Sequence, residues 1–174
     1  MQPNSSTQGF SLTELLVTIA IVAILVAIAL PNFGSTIAST RSTDLANTLY
    51  RDLKTAQAEA IRRGVSVGVY AAGTPRTWSN GWIIAPDGGG SPPGNAIVSR
   101  QPVDGNYLVT ASGSATSVVF SPMGSLAYLA PAVTFQACQK NHTTSTKPQV
   151  DVQLSGRVAY SAVTATAAST STSC

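Results

Sequence analysis

Charge is scarce in this chain: Lys, Arg, Asp and Glu make up 10% of its 174 residues, and residues 15–30 carry none. It has a single histidine, His142, and two cysteines, Cys138 and Cys174. Each shortage excludes something. Cys138 and His142 lack a second pair of ligands at zinc-site spacing, so no metal and no cofactor are expected. The acids Asp87, Asp104 and Asp151 are scattered, and no Ser-His-acid or paired-carboxylate pattern forms around the lone histidine. The chain is therefore expected to be non-catalytic. The first nine residues, MQPNSSTQG, contain no Lys or Arg. The apolar run behind them ends in Pro31-Asn32-Phe33 rather than a small-residue cleavage site, which excludes an ordinary secretory signal.

What is present is an uninterrupted apolar segment with one acid at its mouth. Residues 10–33 would extend roughly 36 Å as a helix at about 1.5 Å per residue, enough to cross a bilayer's hydrocarbon core. Glu14 stands near its start. A carboxylate at mid-bilayer costs about 2.5 to 3.5 kcal/mol and less near an end, so it is either a functional group or one that snorkels to the headgroups.

Helical periodicity continues beyond the anchor. Leu45, Leu49, Leu53, Ala56 and Ala60 recur every three or four residues, with Arg51, Lys54 and Arg62 on the opposite side. Glu59 precedes Arg63 by four, and Gly64 is a natural stop. One helix from Phe10 to Arg63, bent near Pro31, is expected, with Ala56, Ala58 and Ala60 letting a sheet approach. From Val65 the pattern changes to short β-branched and aromatic runs between Gly, Pro, Asn and Ser clusters: VSVGVYA, GWIIA, AIVSRQ, NYLVT, SVVFS, VTFQAC, VDVQLS and RVAYSAVT. The expected class is α+β, a long N-terminal helix packed on an antiparallel sheet. Trp78 and Trp82 are expected to pack that sheet or support a loop. PDGGGSPPGN reads as a surface loop; its glycines neither open a helix nor carry the Lys-Ser/Thr of a phosphate cradle.

Gly9-Phe10-Ser11-Leu12-Thr13-Glu14 before the apolar run resembles the start of type IV pilins and pseudopilins. The leader lacks that family's usual positive charge. The resemblance implies cleavage between Gly9 and Phe10 by prepilin peptidase, N-methylation of Phe10, and an assembly role for Glu14 and Pro31. Cleavage would free an amine at Phe10, one turn from Glu14, and the implied role is pairing of Glu14 with the Phe10 amine of a neighbour in a helical bundle. The implied organisation is a leader over residues 1–9, a transmembrane and filament-core helix over 10–33, and a periplasmic domain over 34–174, helical to about residue 63 and β-rich after it. About 140 residues suit a single core. Cys138 and Cys174 would then sit in an oxidising compartment, where a bridge closing about 37 residues would contribute roughly 3 to 4 kcal/mol and pin the Ser/Thr-rich tail.

The succession AQAEAIRRGVSVGVY, WSNGWIIAPD, SVVFSPMGSLA, VTFQAC and VQLSGRVAY is similar to the GspH/FimT branch of this family. That implies one of three structural roles: a FimU-like minor pilin priming pilus assembly or linking a tip complex to the major pilin, a GspH-like pseudopilin of type II secretion, or a FimT-like DNA-binding minor pilin. The implied partners are other minor pilins, the major pilin, prepilin peptidase and the inner membrane, with the pilus at the cell surface as destination. DNA is the weakest of these. The FimT pattern is Gly-Arg-x-Arg, whereas Gly156-Arg157-Val158-Ala159 has only the first arginine. Arg157, Lys140 and Lys147 are the DNA-contact candidates, against a reading in which Gly156 makes a hairpin turn and Arg157 is solvated. A net charge of +3 permits only weak, salt-sensitive affinity.

Overall fold

The computed structural model describes residues 10–29, 33–88, 94–128, 131–140 and 146–164. The chain forms two compact units, residues 1–37 and 38–174.

In the first unit, α1 (Leu12–Ala29) is apolar all round. Ser11 starts it: its carbonyl accepts the amides of Glu14 and Leu15, and its hydroxyl accepts the Glu14 amide at 3.2 Å, as an N-cap does. α2 (Phe33–Arg63) begins here and runs through the second unit. The expected bend at Pro31 lies outside the described residues, as does the leader with Gly9.

In the second unit, α2 buries four of the five residues of the anticipated stripe: Leu49, Leu53, Ala56 and Ala60 are nearly inaccessible, whereas Leu45 is only partly buried and Ala46 beside it, which was not anticipated, takes the buried place. Ala58, expected to face the sheet, is exposed, because it lies two residues from Ala56 and Ala60 and so turns away from their face. The helix ends where Gly64, at φ +66°, donates its amide to Ala60. Glu59 accepts from both Arg62 and Arg63, with ion-pair distances of 2.7 and 2.5 Å. Hydrogen bonds first from Arg62 and then from Arg63 lower the Glu59 pKa.

Among the described residues eight strands follow in the expected order: β1 (Val67–Ala72), β2 (Thr77–Pro86), β3 (Val98–Ser99), β4 (Tyr107–Ala111), β5 (Ser117–Phe120), β6 (Val133–Gln139), β7 (Thr146–Val152) and β8 (Val158–Thr164). They form two antiparallel four-stranded sheets, β3-β2-β1-β5 and β4-β6-β7-β8, rather than one. Alternation explains the division of faces. Val67, Val69 and Ala71 of β1 join Leu49, Leu53 and Ala56 of α2, and Phe135, Val150 and Val152 of the second sheet complete the same core. The opposite face of the first sheet carries a smaller cluster of Tyr70, Ala85, Val119 and Ala127.

Candidate assembly surface

Phe10, two residues ahead of α1, is 77% exposed. Every large apolar side chain from Leu12 to Val26 is at least 49% exposed. An apolar helix bare on all sides is matched to lipid or to other apolar helices rather than to water. Glu14 lies in the first turn, where the positive end of the helix dipole favours a carboxylate. Among the described residues no helix is long and apolar enough to cross a membrane. The 18 residues of α1 rise about 27 Å, just short of a hydrocarbon core of about 30 Å. The expected span over residues 10–33 includes residues 30–32, which lie outside the described ones.

In the second unit, three polar nodes tie loops to the framework. The first is at Asp52, a buried acid on the apolar face of α2. Its Oδ2 accepts Trp82 Nε1 at 2.8 Å and Arg100 Nε at 2.8 Å, and its Oδ1 accepts Arg100 Nη2 at 2.9 Å. The hydrogen bond to Asp52, and then its charge, raise the Arg100 pKa. This two-point pair fixes the chain after β3 against α2. Arg100 and Trp82 also line a groove of about 290 Å3 bordered by Arg41, Asp44, Gln101, Asp104 and Tyr107. Trp78 packs edge-on against Phe135 at 4.7 Å and donates its Nε1 to the Ala115 carbonyl, so both tryptophans serve the fold.

The second node is Gln57, whose Nε2 donates to the carbonyls of Gly124 at 2.6 Å and Gly156 at 2.8 Å. Gly156 has φ +81°, and a Cβ there would lie 1.8 Å from the Gly124 oxygen. It sits in the turn between β7 and β8, with Arg157 exposed beside it, as the hairpin reading required. The third node is Asp87, which accepts Tyr70 Oη at 2.5 Å and Tyr128 Oη. Burial first, and then this bond, push the Tyr70 pKa well above its usual value.

The three DNA-contact candidates do not converge. Val152 pairs with Val158, next to Arg157, while Lys147 is five residues back along β7, about 17 Å away. Lys140 follows β6, whose start pairs with Val152, so it lies seven residues from that level, two positions beyond Lys147. Cys138 is buried and is not a free thiol, but Cys174 lies outside the described residues, as does His142. Asp52, Gln57 and Arg100 were not anticipated from sequence. The available signal was an acid and an amide on or beside a stripe of buried aliphatics.

The family described as Type II transport protein GspH matches residues 45–156, well over half of the chain. The chain belongs to the GspH family. A second match, the prokaryotic N-terminal methylation motif, covers residues 4–30. Members of the GspH family are structural type IV minor pilins and pseudopilins, and this chain is a subunit of that kind. The methylation motif implies that it is membrane-anchored. Its fold is similar to that of the type IV minor pilin FimU of Pseudomonas aeruginosa, at 18% identity and TM-score 0.62, covering 71% of this chain and 90% of that chain. It is also similar to the minor pseudopilin EpsH of the Vibrio cholerae type 2 secretion system, at 15% identity and TM-score 0.54, covering 70% and 97%. At these identities the likeness is one of fold. No curated protein matches the sequence significantly.

Proposed function

We propose that this chain is a non-catalytic minor pilin of a type IV pilus, cut by prepilin peptidase between Gly9 and Phe10, N-methylated at Phe10, and inserted as a single-pass protein in the bacterial inner membrane. Residues 1–9 are the leader, residues 10–33 the membrane and filament-core helix, and residues 34–174 the periplasmic domain. The protein then passes into the pilus, where it helps prime assembly or links a tip complex to the major pilin. The observation that carries this reading is α1, apolar and uncovered on every side but for Glu14 in its first turn. Moving such a helix from lipid into a bundle of like helices changes its hydrophobic burial little, so packing and polar pairing decide where it docks. The Phe10 amine of one subunit and Glu14 of the next supply that pairing at low dielectric. Pro31 sets the helix bend, and a Cys138–Cys174 bridge holds the tail. Partners are other minor pilins and the major pilin.

A second reading, a pseudopilin of type II secretion, draws support from the description of the matching family. Cross-linked pull-downs of the tagged protein from cells, analysed by mass spectrometry, discriminate between the two. Recovery of minor and major pilins supports the first reading, and recovery of secretion pseudopilins the second. Glu14→Ala is expected to leave insertion and leader cleavage intact while abolishing recovery of either set. Undiminished recovery with that variant overturns the assembly role of Glu14.

A further inference from the structure

The second unit carries an apolar knob at the end of α2 and an open groove one domain-length back along the same helix. The knob is built on the Gln57 joint. Met123 precedes Gly124, Leu154 stands two residues before Gly156, and the Leu126 amide donates to the Leu154 carbonyl, so the two turns lie side by side. Ile61 closes a third side: a Cβ at Gly124 would come within 3.0 Å of its Cδ1. Met123 is 91% exposed, Leu154 58% and Ile61 55%. Neighbouring bare apolar side chains within a polar rim mark an interaction site. The rim here is positive, because Arg62 and Arg63 share the single acid Glu59 and Arg157 is exposed beside Gly156.

The groove has the opposite sign. Leu45, Val103 and Tyr107 give it an apolar lining. Asp52 takes up the charge of Arg100, which leaves the exposed Asp44 and Asp104 against Arg41. Its volume of about 290 Å3 falls just below the range of small-molecule pockets, about 300 to 1,000 Å3, and suits an inserted side chain better than a free ligand. An unbranched, polarizable methionine fills an irregular apolar gap beside an aromatic ring well.

One molecule cannot fill its own groove. Leu45 and Ile61 both lie on α2, sixteen residues apart, which is about 24 Å at 1.5 Å per residue. We infer that the Met123 knob of one copy docks in the α2 groove of a second copy, its arginine rim meeting Asp44 and Asp104. The two surfaces differ, so the contact is heterologous, and a joined pair still offers one free knob and one free groove. The inference is independent of whether the chain serves a pilus or a secretion pseudopilus.

The test uses the full chain in mild detergent, one copy carrying Met123→Cys and the other Gln101→Cys under a different affinity tag. Oxidative cross-linking is read against the chain without added cysteine. Gln101 borders the groove, and both positions are exposed, so neither change touches the core. A covalent pair is expected from the mixed sample and not from either variant alone. Adding Asp44→Lys and Asp104→Lys to the Gln101→Cys copy is expected to lower the yield about fivefold, since cations then face the arginine rim. Arg157→Glu in the Met123→Cys copy is expected to raise it again, which a misfolded variant would not do. Four results overturn the proposal: no mixed pair; equal yields in mixed and single-variant samples, which assigns association to α1; pairing only between Met123→Cys copies, which docks the knob on itself; and a yield indifferent to the charge reversals.

Discussion

Asp52 interrupts an otherwise aliphatic helix face, and its two partners are unequal in what they can do when it is gone. Arg100 is nearly half exposed, whereas the Asp52 side chain is 4% exposed. Asp52→Asn keeps an acceptor for the Trp82 indole and lets Arg100 turn into water, so it should cost about 1 to 2 kcal/mol. Arg100→Ala strands a buried carboxylate and should cost more, about 3 kcal/mol. Urea unfolding of the two variants checks the order; equal losses would mean that the carboxylate finds water in the groove. Tyr70 yields a prediction in pH. Its folded-state pKa is raised by burial and by Asp87, so its neutral form is favoured by the fold. That contribution is fully present below the unfolded value of about 10 and is lost as pH rises above it. Stability should fall on the alkaline side of pH 10, and Tyr70→Phe should flatten that limb while costing about 1 kcal/mol at neutral pH for the lost hydrogen bond. Thermal melts from pH 7 to 11 measure both.

Between elements, Gln57 is the joint: one amide on α2 satisfies carbonyls from two turns that lie 67 and 99 residues away. Gln57→Leu keeps the bulk but leaves two partly buried acceptors without a donor, an expected loss of about 2 kcal/mol. Hydrogen exchange should rise first at the amides of Gly124 and Gly156, and protection unchanged at both would assign the joint to packing alone. Arg157→Ala, one residue away but solvated, should be neutral in the same assay. This joint also marks the boundary of what the sequence made legible. Gly156 could be read as a turn because its neighbours are two strand-like runs, and the eight strands could be ordered because each is a short β-branched run between breakers. The division into two sheets could not be read, because it depends on β5 returning to β1 while β4 pairs with β6, and no local pattern encodes either choice. Asp52 shows the same divide. Its place on the buried stripe, three after Leu49 and four before Ala56, is periodic information present in the sequence. That its partner is Arg100, 48 residues on, is not.

At the scale of the molecule, function turns on where a small excess of charge lies. Ten basic residues against seven acids give +3, and among the described residues Arg62 and Arg63 form ion pairs with Glu59, and Arg100 with Asp52. Arg157 and the Lys140 and Lys147 pair stand toward opposite ends of the second sheet, about 17 Å apart or more along the strands. A duplex spaces its charges every 1.7 Å or so along its axis, and affinity grows with the number of phosphates neutralised together. Cations this dispersed engage about one phosphate per encounter, so binding to a short duplex should be weak at about 0.15 M salt. Its dependence on log salt should have a slope near −1, and Arg157→Ala and Lys140→Ala should reduce the low-salt signal to similar degrees. A slope steeper than about −4 that Arg157→Ala alone abolishes would mean that several copies bring their Arg157 residues onto one surface. In that case the assembly, rather than the single chain, would be the DNA-binding unit.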